Sequence, residues 1–528
     1  MKLNKKIIVF FLILSLFLTG NFVMAAELMP NDPGYDKQWY LDKLNMPQVW
    51  AEETGSKNVV IAMIDSGIDP DHPDLHDNVW VNNDEILGDG IDNDQNGYID
   101  DINGWDFIEE NNDPRPKYDP NCFKRQTCIE EAIVHGTFIA GVAAAVGNNG
   151  IGGTGMGWQT KIMPLRVLSQ NGSGNTLDVI QAINYAIDNQ ADIINLSFVG
   201  DSYDQALEFA LNEAYQAGLV IVVAAGNEDF LGEVVDLDIE KMYPVCHQGF
   251  DNKNIIIGVG ASDKDNKLAG YSNYGSSCVD IIAPGDNFWG TLFHDSDVPK
   301  LQDYYGSGFS GTSLAAPLIS GLAAVIKSYE PSLNNQQITD LILNNTDNID
   351  DVNPGFIGKL GNGLVNPVKV WQSLLSYSGE TRLIQTPGSS TIYYQAINGK
   401  RYVFPDSATY FSWYDDFNKI IKINANELSQ ITLSGNVTVR PGTRLIKIQS
   451  DAKVYAVSQG SVLRWVKNEE LASGLYGSNW QSQVIDISAA FFVNYQIGQP
   501  IEELEDFDPF LEKNTVVAID QNKGLFTN

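Results

Sequence analysis

From about Val59 to Tyr329, short continuous apolar runs alternate with segments whose apolar residues recur at helical spacing. That alternation limits the folds open to the chain more than any other feature. The runs VVIAMI, IMPLRVL, DIINLSF, LVIVVAAG, NIIIGVG and VDIIAPG read as strands buried on both faces. Between several of them, DVIQAINYAIDN and DQALEFALNEAYQAG carry an apolar stripe, the second ending at Gly218 as a capping residue. Strands joined through helices need right-handed crossovers, so the expected fold is α/β, a mostly parallel sheet with helices on both faces. Ligand sites in such folds gather at the carboxyl ends of the strands. One segment departs from the pattern. TSLAAPLISGLAAVIKSYEP is apolar almost all round and holds Pro317 near its start, as expected of a helix running through the core. A further helix, NNQQITDLILNNT, follows it.

The chain is 528 residues long, which allows more than one domain. Lys2, Lys5 and Lys6, an apolar run from Ile7 to Leu18 and small residues ending at Ala25 predict a cleavable secretory signal over 1–25. The run is shorter than the roughly 20 residues a spanning helix needs, and no later segment is long and apolar enough, so no membrane span is expected. The α/β domain is expected over 26–377, and the polar stretch SYSGETRLIQTPGSS marks a linker over 378–390. A C-terminal β-rich domain over 391–500 holds two copies of one unit about 62 residues apart, each with a turn glycine, Gly399 or Gly460. Its Trp413, Tyr414, Trp465 and Trp480 suit either stacking on cell-wall sugar, a cell-surface contact, or packing in a core. The acidic tail over 501–528 is expected to be loosely ordered.

A formal charge of −34 at pH 7 repels nucleic acid and anionic membranes and favours cations, so no nucleic-acid partner is expected and calcium is the partner to look for. The 4 Cys lie as Cys122 with Cys128 and Cys246 with Cys278; an even count in an exported chain favours disulfides, and the two sequential pairings are the expected ones. Their spacing lacks a zinc pattern.

Four motifs bear on chemistry. MIDSG sets Asp65 directly after an apolar run, at the carboxyl end of a strand. HGTFIAGVAAAV begins with His135 and continues as a small-residue helix, which puts the imidazole at the helix start; alone, such a histidine is more often structural. GTSLAAP places Ser313 in the first turn of the buried helix, where Gly311 permits close backbone approach and helix N–H groups face the hydroxyl. VVAAGN puts Asn227 just beyond another strand, where its amide can donate to the same developing oxyanion.

The order Asp, His, Ser, with AAGN between the last two, resembles the subtilisin-like serine proteases over roughly Asn31 to Asn345. The resemblance implies a secreted serine endopeptidase, acting as a monomer on protein or peptide substrates, in which Ser313 attacks, His135 transfers the proton and Asp65 orients it. It also implies that an extended substrate lies along Gly172, Ser173 and Gly174 and along Ser197, Phe198, Val199 and Gly200. The family usually has glycine where Val199 stands, so that side chain either crowds the mouth of the specificity pocket or points away. Only a few residues separate Ala25 from the catalytic part, where family members commonly carry a folding propeptide; folding aided by calcium and disulfides, or control by the C-terminal part, is expected instead. The rival reading is a secreted binding or adhesion protein with a vestigial protease domain, against which the intact motifs stand.

Two calcium sites are expected. In GDGIDNDQNGYIDDINGWDF, Asp92, Asp94, Asn96 and Gly97 fit the first half of an oxygen-rich loop, with Asp100 at the ninth position and Asn103 where a glutamate would close it. A solvated acidic loop is the alternative. By resemblance alone, Asp32, Asp74 and either Asn148 or Asn149 form a second site.

Overall fold

Val60–Asp65 is buried at every position and forms β1, the strand on which the site is built. In the computed structural model, residues 27–525 are described except 126, 229–231, 251–252, 378–380, 398, 415, 449–450 and 517. The expected signal over 1–25 lies outside the described residues. After β1 come β2 (Trp105–Asp106), β3 (Lys161–Arg166), β4 (Ile193–Leu196), β5 (Val220–Ala224), β6 (Ile257–Ser262) and β7 (Ile281–Pro284). A hairpin of β8 (Phe288–Thr291) and β9 (Tyr305–Phe309) precedes β10 (Thr346–Asp347) and β11 (Leu364–Val365). Among the described residues nine of these strands join in one sheet, ordered β10-β11-β7-β6-β5-β4-β1-β3-β2. All neighbours are parallel except β10 and β11. Every apolar run read as a strand overlaps one of these elements.

The helices are α1 (Trp39–Lys43), α2 (Met46–Trp50), α3 (Cys122–Arg125), α4 (Glu130–Ala144), α5 (Thr176–Asp188), α6 (Gln205–Gln216), α7 (Thr312–Tyr329), α8 (Asn335–Leu343) and α9 (Pro367–Tyr377). Alternate side chains along β1 enter opposite cores. Ile61 and Met63 pack with Ile139 of α4 and Leu318 of α7, whereas Val60, Ala62 and Ile64 pack with Ile183 of α5 and Leu211 of α6. Capping sets where α6 starts and stops: Asp204 accepts from the N–H groups of Ala206 and Leu207 at 2.8 and 3.0 Å, and Gly218 follows the helix at φ 96°. From Leu314 to Ile326, α7 is buried without a break, as its all-round apolar surface requires.

The C-terminal unit shows the repeat directly. Its first half comprises β12 (Arg382–Gln385), β13 (Tyr393–Gln395), β14 (Arg401–Val403), α10 (Ser407–Trp413), β15 (Ile420–Lys422), α11 (Ala425–Gln430) and β16 (Leu433–Asn436). The second comprises β17 (Leu445–Lys447), β18 (Tyr455–Ser458), β19 (Val462–Trp465), α12 (Glu469–Tyr476), β20 (Val484–Asp486), α13 (Ala489–Phe492) and β21 (Gln496–Ile497). Their sheets run β15-β12-β13-β14-β16 and β20-β17-β18-β19-β21, one topology used twice. The four aromatics suited to stacking or core lie in or against hydrophobic clusters, and Trp413 Nε1 donates to the Thr438 carbonyl at 2.8 Å.

Two boundaries differ from expectation. Part of the expected linker, Arg382–Gln385, is β12, an inner strand of the first repeat, buried from Leu383 to Gln385. The tail is not loose. Ile501 and Phe507 sit in the core of the second repeat, Ile519 sits in that of the first, and α14 (Pro509–Thr515) and α15 (Ile519–Asn522) connect the two. Both expected disulfides are present, with Cα atoms 5.0 Å apart at Cys122–Cys128 and 4.9 Å at Cys246–Cys278. Among the described residues no helix is long and apolar enough to cross a membrane.

Candidate active site

Asp65 ends β1 and is fully buried, while His135 stands on α4 with its side chain 26% exposed. The helix begins at Glu130, so the imidazole lies in the second turn and not at the helix start that was expected. Residue size brings the two together. A Cβ on Gly136 would overlap the Gly67 carbonyl, and the Gly136 N–H donates to Ser66 Oγ at 3.1 Å, so α4 lies directly against the turn after β1. In that arrangement His135 Nδ1 meets Asp65 Oδ1 at 2.7 Å, and the same oxygen accepts the Ser66 N–H at 2.7 Å. Burial works to lower the His135 pKa. The charge and hydrogen bond of Asp65, helped by Glu131, outweigh it and hold the imidazole above the ordinary histidine value.

Ser313 lies in the first turn of α7, beside the carboxyl end of the sheet. Its carbonyl accepts from Ser197 Oγ at 3.0 Å. Ile64 pairs with Leu196 across β1 and β4, so Ser197 is level with Asp65 on the next strand, where neighbours are about 4.8 Å apart. Among the described residues Ser313 Oγ makes no hydrogen bond to His135; such contacts are often long without substrate and tighten when it binds. Asn227 follows β5. Its Oδ1 accepts from the Thr312 N–H and hydroxyl at 3.0 and 3.1 Å, which aims Nδ2 the other way. A Cβ placed on Gly311 would lie 2.9 Å from Ser313 Oγ and 3.3 Å from Asn227 Nδ2. Hydroxyl and amide therefore border one small space that glycine leaves open. A hydroxyl, an imidazole held by a carboxylate and a side-chain amide at one end of a sheet are the groups that acyl transfer requires.

The model of the subtilase family matches residues 56–363. This chain belongs to the subtilase family. Curated relatives of this subtilase include a thermophilic serine proteinase of Bacillus sp. (strain AK1), 33% identical over 62% of this chain and 67% of the relative. Thermitase of Thermoactinomyces vulgaris is 31% identical over 58% of this chain and 88% of its own length. Subtilisin-like protease 1 of Plasmodium vivax is 31% identical, and the match spans about half, 48%, of that longer protein. Among solved structures, a protease of Pseudoalteromonas arctica PAMC 21717 superposes with a TM-score of 0.51 at 28% identity, covering 66% of this chain and all, 100%, of that one. The subtilase is a serine-type endopeptidase by family and relatives.

The other expected site residues fall into three groups. Gly172, Ser173 and Gly174 form an exposed turn next to Ala132 of α4, closed by a hydrogen bond from Ser169 N–H to the Ser173 carbonyl at 2.8 Å. Ser197 is buried, Phe198 and Val199 are half-buried, and Gly200 is paired with Tyr243 through both backbone groups at 2.6 and 2.8 Å. The Val199 side chain does not point away from the AAGN loop: its Cγ2 lies 2.6 Å from where a Cβ on Gly226 would stand.

In the acidic insertion the carboxylates sort differently from the expected loop. Oxygen atoms of Glu85, Asp94 and Asp101 lie within 4.8 Å of one another. The Asn82 and Asn96 amides donate to both aspartates at 2.9 to 3.1 Å. Asp92 instead accepts the N–H groups of Asn96 and Gly97, and Asp100 those of Gly88, Asp89 and Gly90. Sequence spacing missed Glu85 and Asp101 because they approach across the loop. Burial raises the Asp101 pKa against the donors around it. At the second site Asp32 accepts three N–H groups, from Asn148, Asn149 and Gly150, at 2.6 to 3.0 Å. Asp74 accepts from Asn149 Nδ2 and the Gly153 N–H, and burial pushes it up to about 7.

Proposed function

We propose that this subtilase is exported and cuts proteins through an acyl-enzyme, with Ser313 as nucleophile, His135 as proton carrier and Asn227 as oxyanion donor. The observation that carries the reading is the 2.7 Å bond between His135 Nδ1 and Asp65. A carboxylate that holds the proton on Nδ1 leaves Nε2 basic, able to accept the Ser313 proton as Oγ attacks the scissile carbonyl. Negative charge then grows on the carbonyl oxygen, where Asn227 Nδ2 and the N-terminal turn of α7 supply hydrogen-bond donors. Returned to the leaving amine, the proton completes acylation; water repeats the sequence in reverse to free the acid. The pattern of residues 1–25 and the two disulfides support export to an oxidising compartment.

An extended peptide would lie between the turn at Gly172–Gly174 and the chain after β4, using backbone hydrogen bonds. Val199, set over Gly226, narrows the space between the chain after β4 and the loop after β5 and favours small residues before the cut bond. Calcium fits the cluster of Glu85, Asp94 and Asp101, three hard carboxylates with only neutral hydrogen-bond donors around them among the described residues. Backbone N–H groups reach the Glu85 oxygens as they do those of Asp32, so the fit at Asp32 and Asp74 is weaker because two carboxylates meet there in place of three.

A fluorophosphonate probe tests the mechanism. The protein is expected to label at Ser313, and Ser313→Ala to abolish labelling with a loss of peptide turnover of roughly 10⁶-fold, the scale of that loss in subtilisin itself. An unlabelled, properly folded protein would favour the vestigial binding protein instead.

A further inference from the structure

Pro317 lies four residues after Ser313, inside α7. In an α-helix the N–H of residue i donates to the carbonyl of residue i−4, and proline has no N–H. The carbonyl that loses its helical donor is therefore that of Ser313. Ser197 Oγ occupies its place, donating to the Ser313 oxygen at 3.0 Å. The proton of that hydroxyl is committed, because Ser197 Oγ accepts from Asn195 Nδ2 at 2.9 Å. Asn195 is fixed in turn by Ser320, whose hydroxyl donates to Asn195 Oδ1 at 2.8 Å. Ser320 is two turns along α7 from Ser313. Asn195, Ser197 and Ser320 are all buried, so the end of β4 is tied to the buried helix at two points.

We propose that Ser197 is a positioning residue for the nucleophile: its side chain replaces the backbone donor that Pro317 removes and fixes the peptide unit carrying Ser313 to the strand next to Asp65. This rests on the peptidase reading above and gives Ser197 a role distinct from lining the substrate groove. Without the hydroxyl, the Ser313 carbonyl has neither a helical nor a side-chain donor. The first turn then loosens, and Oγ spends less time aligned with His135 and the Asn227 amide.

The test is a double-mutant comparison in the full chain. We would measure kcat and KM on a peptide substrate, the rate of fluorophosphonate labelling, and Tm for the wild type, Ser197→Ala, Ser197→Thr, Pro317→Ala and the pair Ser197→Ala/Pro317→Ala. Ser197→Ala is expected to lower kcat and labelling about five- to tenfold, the scale of one neutral hydrogen bond, with KM little changed. Ser197→Thr keeps a hydroxyl and should stay close to the wild type. In the Pro317→Ala background a backbone N–H is restored to the Ser313 carbonyl, so adding Ser197→Ala should cost less than about twofold. The Asn195 amide left unpaired by Ser197→Ala is common to both backgrounds and cancels. An equal loss with and without Pro317, or full kcat in folded Ser197→Ala, overturns the proposal. Should Ser197→Ala alone be too unstable to assay, recovery of labelled protein by Pro317→Ala supports it and failure to recover overturns it. A wild type that does not label overturns the peptidase reading itself, a result distinct from all of these.

Discussion

In the proposed mechanism His135 must be neutral to accept the Ser313 proton, yet Asp65 and Glu131 both favour its charged form. A pKa held above the ordinary 6.5 means that kcat/KM is lost on the acid side at a higher pH than for a free histidine. The stabilising ion pair with Asp65 has the opposite dependence: it is complete below the unfolded histidine value and is lost as pH rises through the folded one. Glu131→Gln removes one raising charge, so the acid limb should move to lower pH, and more at low salt because Glu131 is exposed. A limb that stays put would mean that Asp65 alone sets it. Val199→Gly should raise cleavage after phenylalanine relative to alanine by at least about tenfold, read from kcat/KM on matched peptides. At this scale the groups that the structure gathers at one end of the sheet were legible, because Asp65, His135, Ser313 and Asn227 each sit in a short motif beside a strand end or a helix. The Ser197 bond to Ser313 was not, since it joins residues 116 apart in the chain. Pro317 inside a helix was the available sign that one carbonyl would need another donor.

Strands β1 and β3 to β7 were readable as elements because strands covered on both faces leave unbroken apolar runs in the sequence. Shorter elements were not. β12 has four residues between glycine- and serine-rich stretches, and its role comes from pairing with β13 and β15. The tail misled for another reason. Its acidic composition hid Ile501, Phe507 and Ile519, too widely spaced for a periodic pattern, which pack one by one into cores already formed by the repeats. Phe507, 4% exposed and stacked against Tyr476, should therefore be structural. Phe507→Ala is expected to destabilise the C-terminal unit by about 3 to 5 kcal/mol. Calorimetry should show the lower transition while fluorophosphonate labelling at Ser313 is retained; an unchanged thermogram would contradict the packing.

For the whole molecule, an excess of carboxylates ties the proposed cation site to stability. The cluster of Glu85, Asp94 and Asp101 joins the acidic insertion to Tyr185 on α5, whose hydroxyl donates to Asp101. Excess chelator should lower Tm, with about 2.7 kcal/mol at stake if free calcium stands at 100 times its Kd. Asp101→Asn should remove most of that sensitivity, and a Tm indifferent to chelator would argue against the site. The overall charge led to the expectation of a cation, whereas the carboxylates that come together could be seen only in the folded loop, because Glu85 and Asp101 lie outside the spacing that suggested Asp92 and Asp100.

α7 carries Ser313 and passes through the middle of the core, packed against α4 and β4 to β7. A chain still emerging from synthesis, with β1 and α4 already made, has Asp65 and His135 but not Ser313 in place. On the proposed assignment it gains the means to attack its neighbours or itself only when the last large piece of the catalytic core is threaded home, so completion of the fold and the onset of proteolysis would coincide.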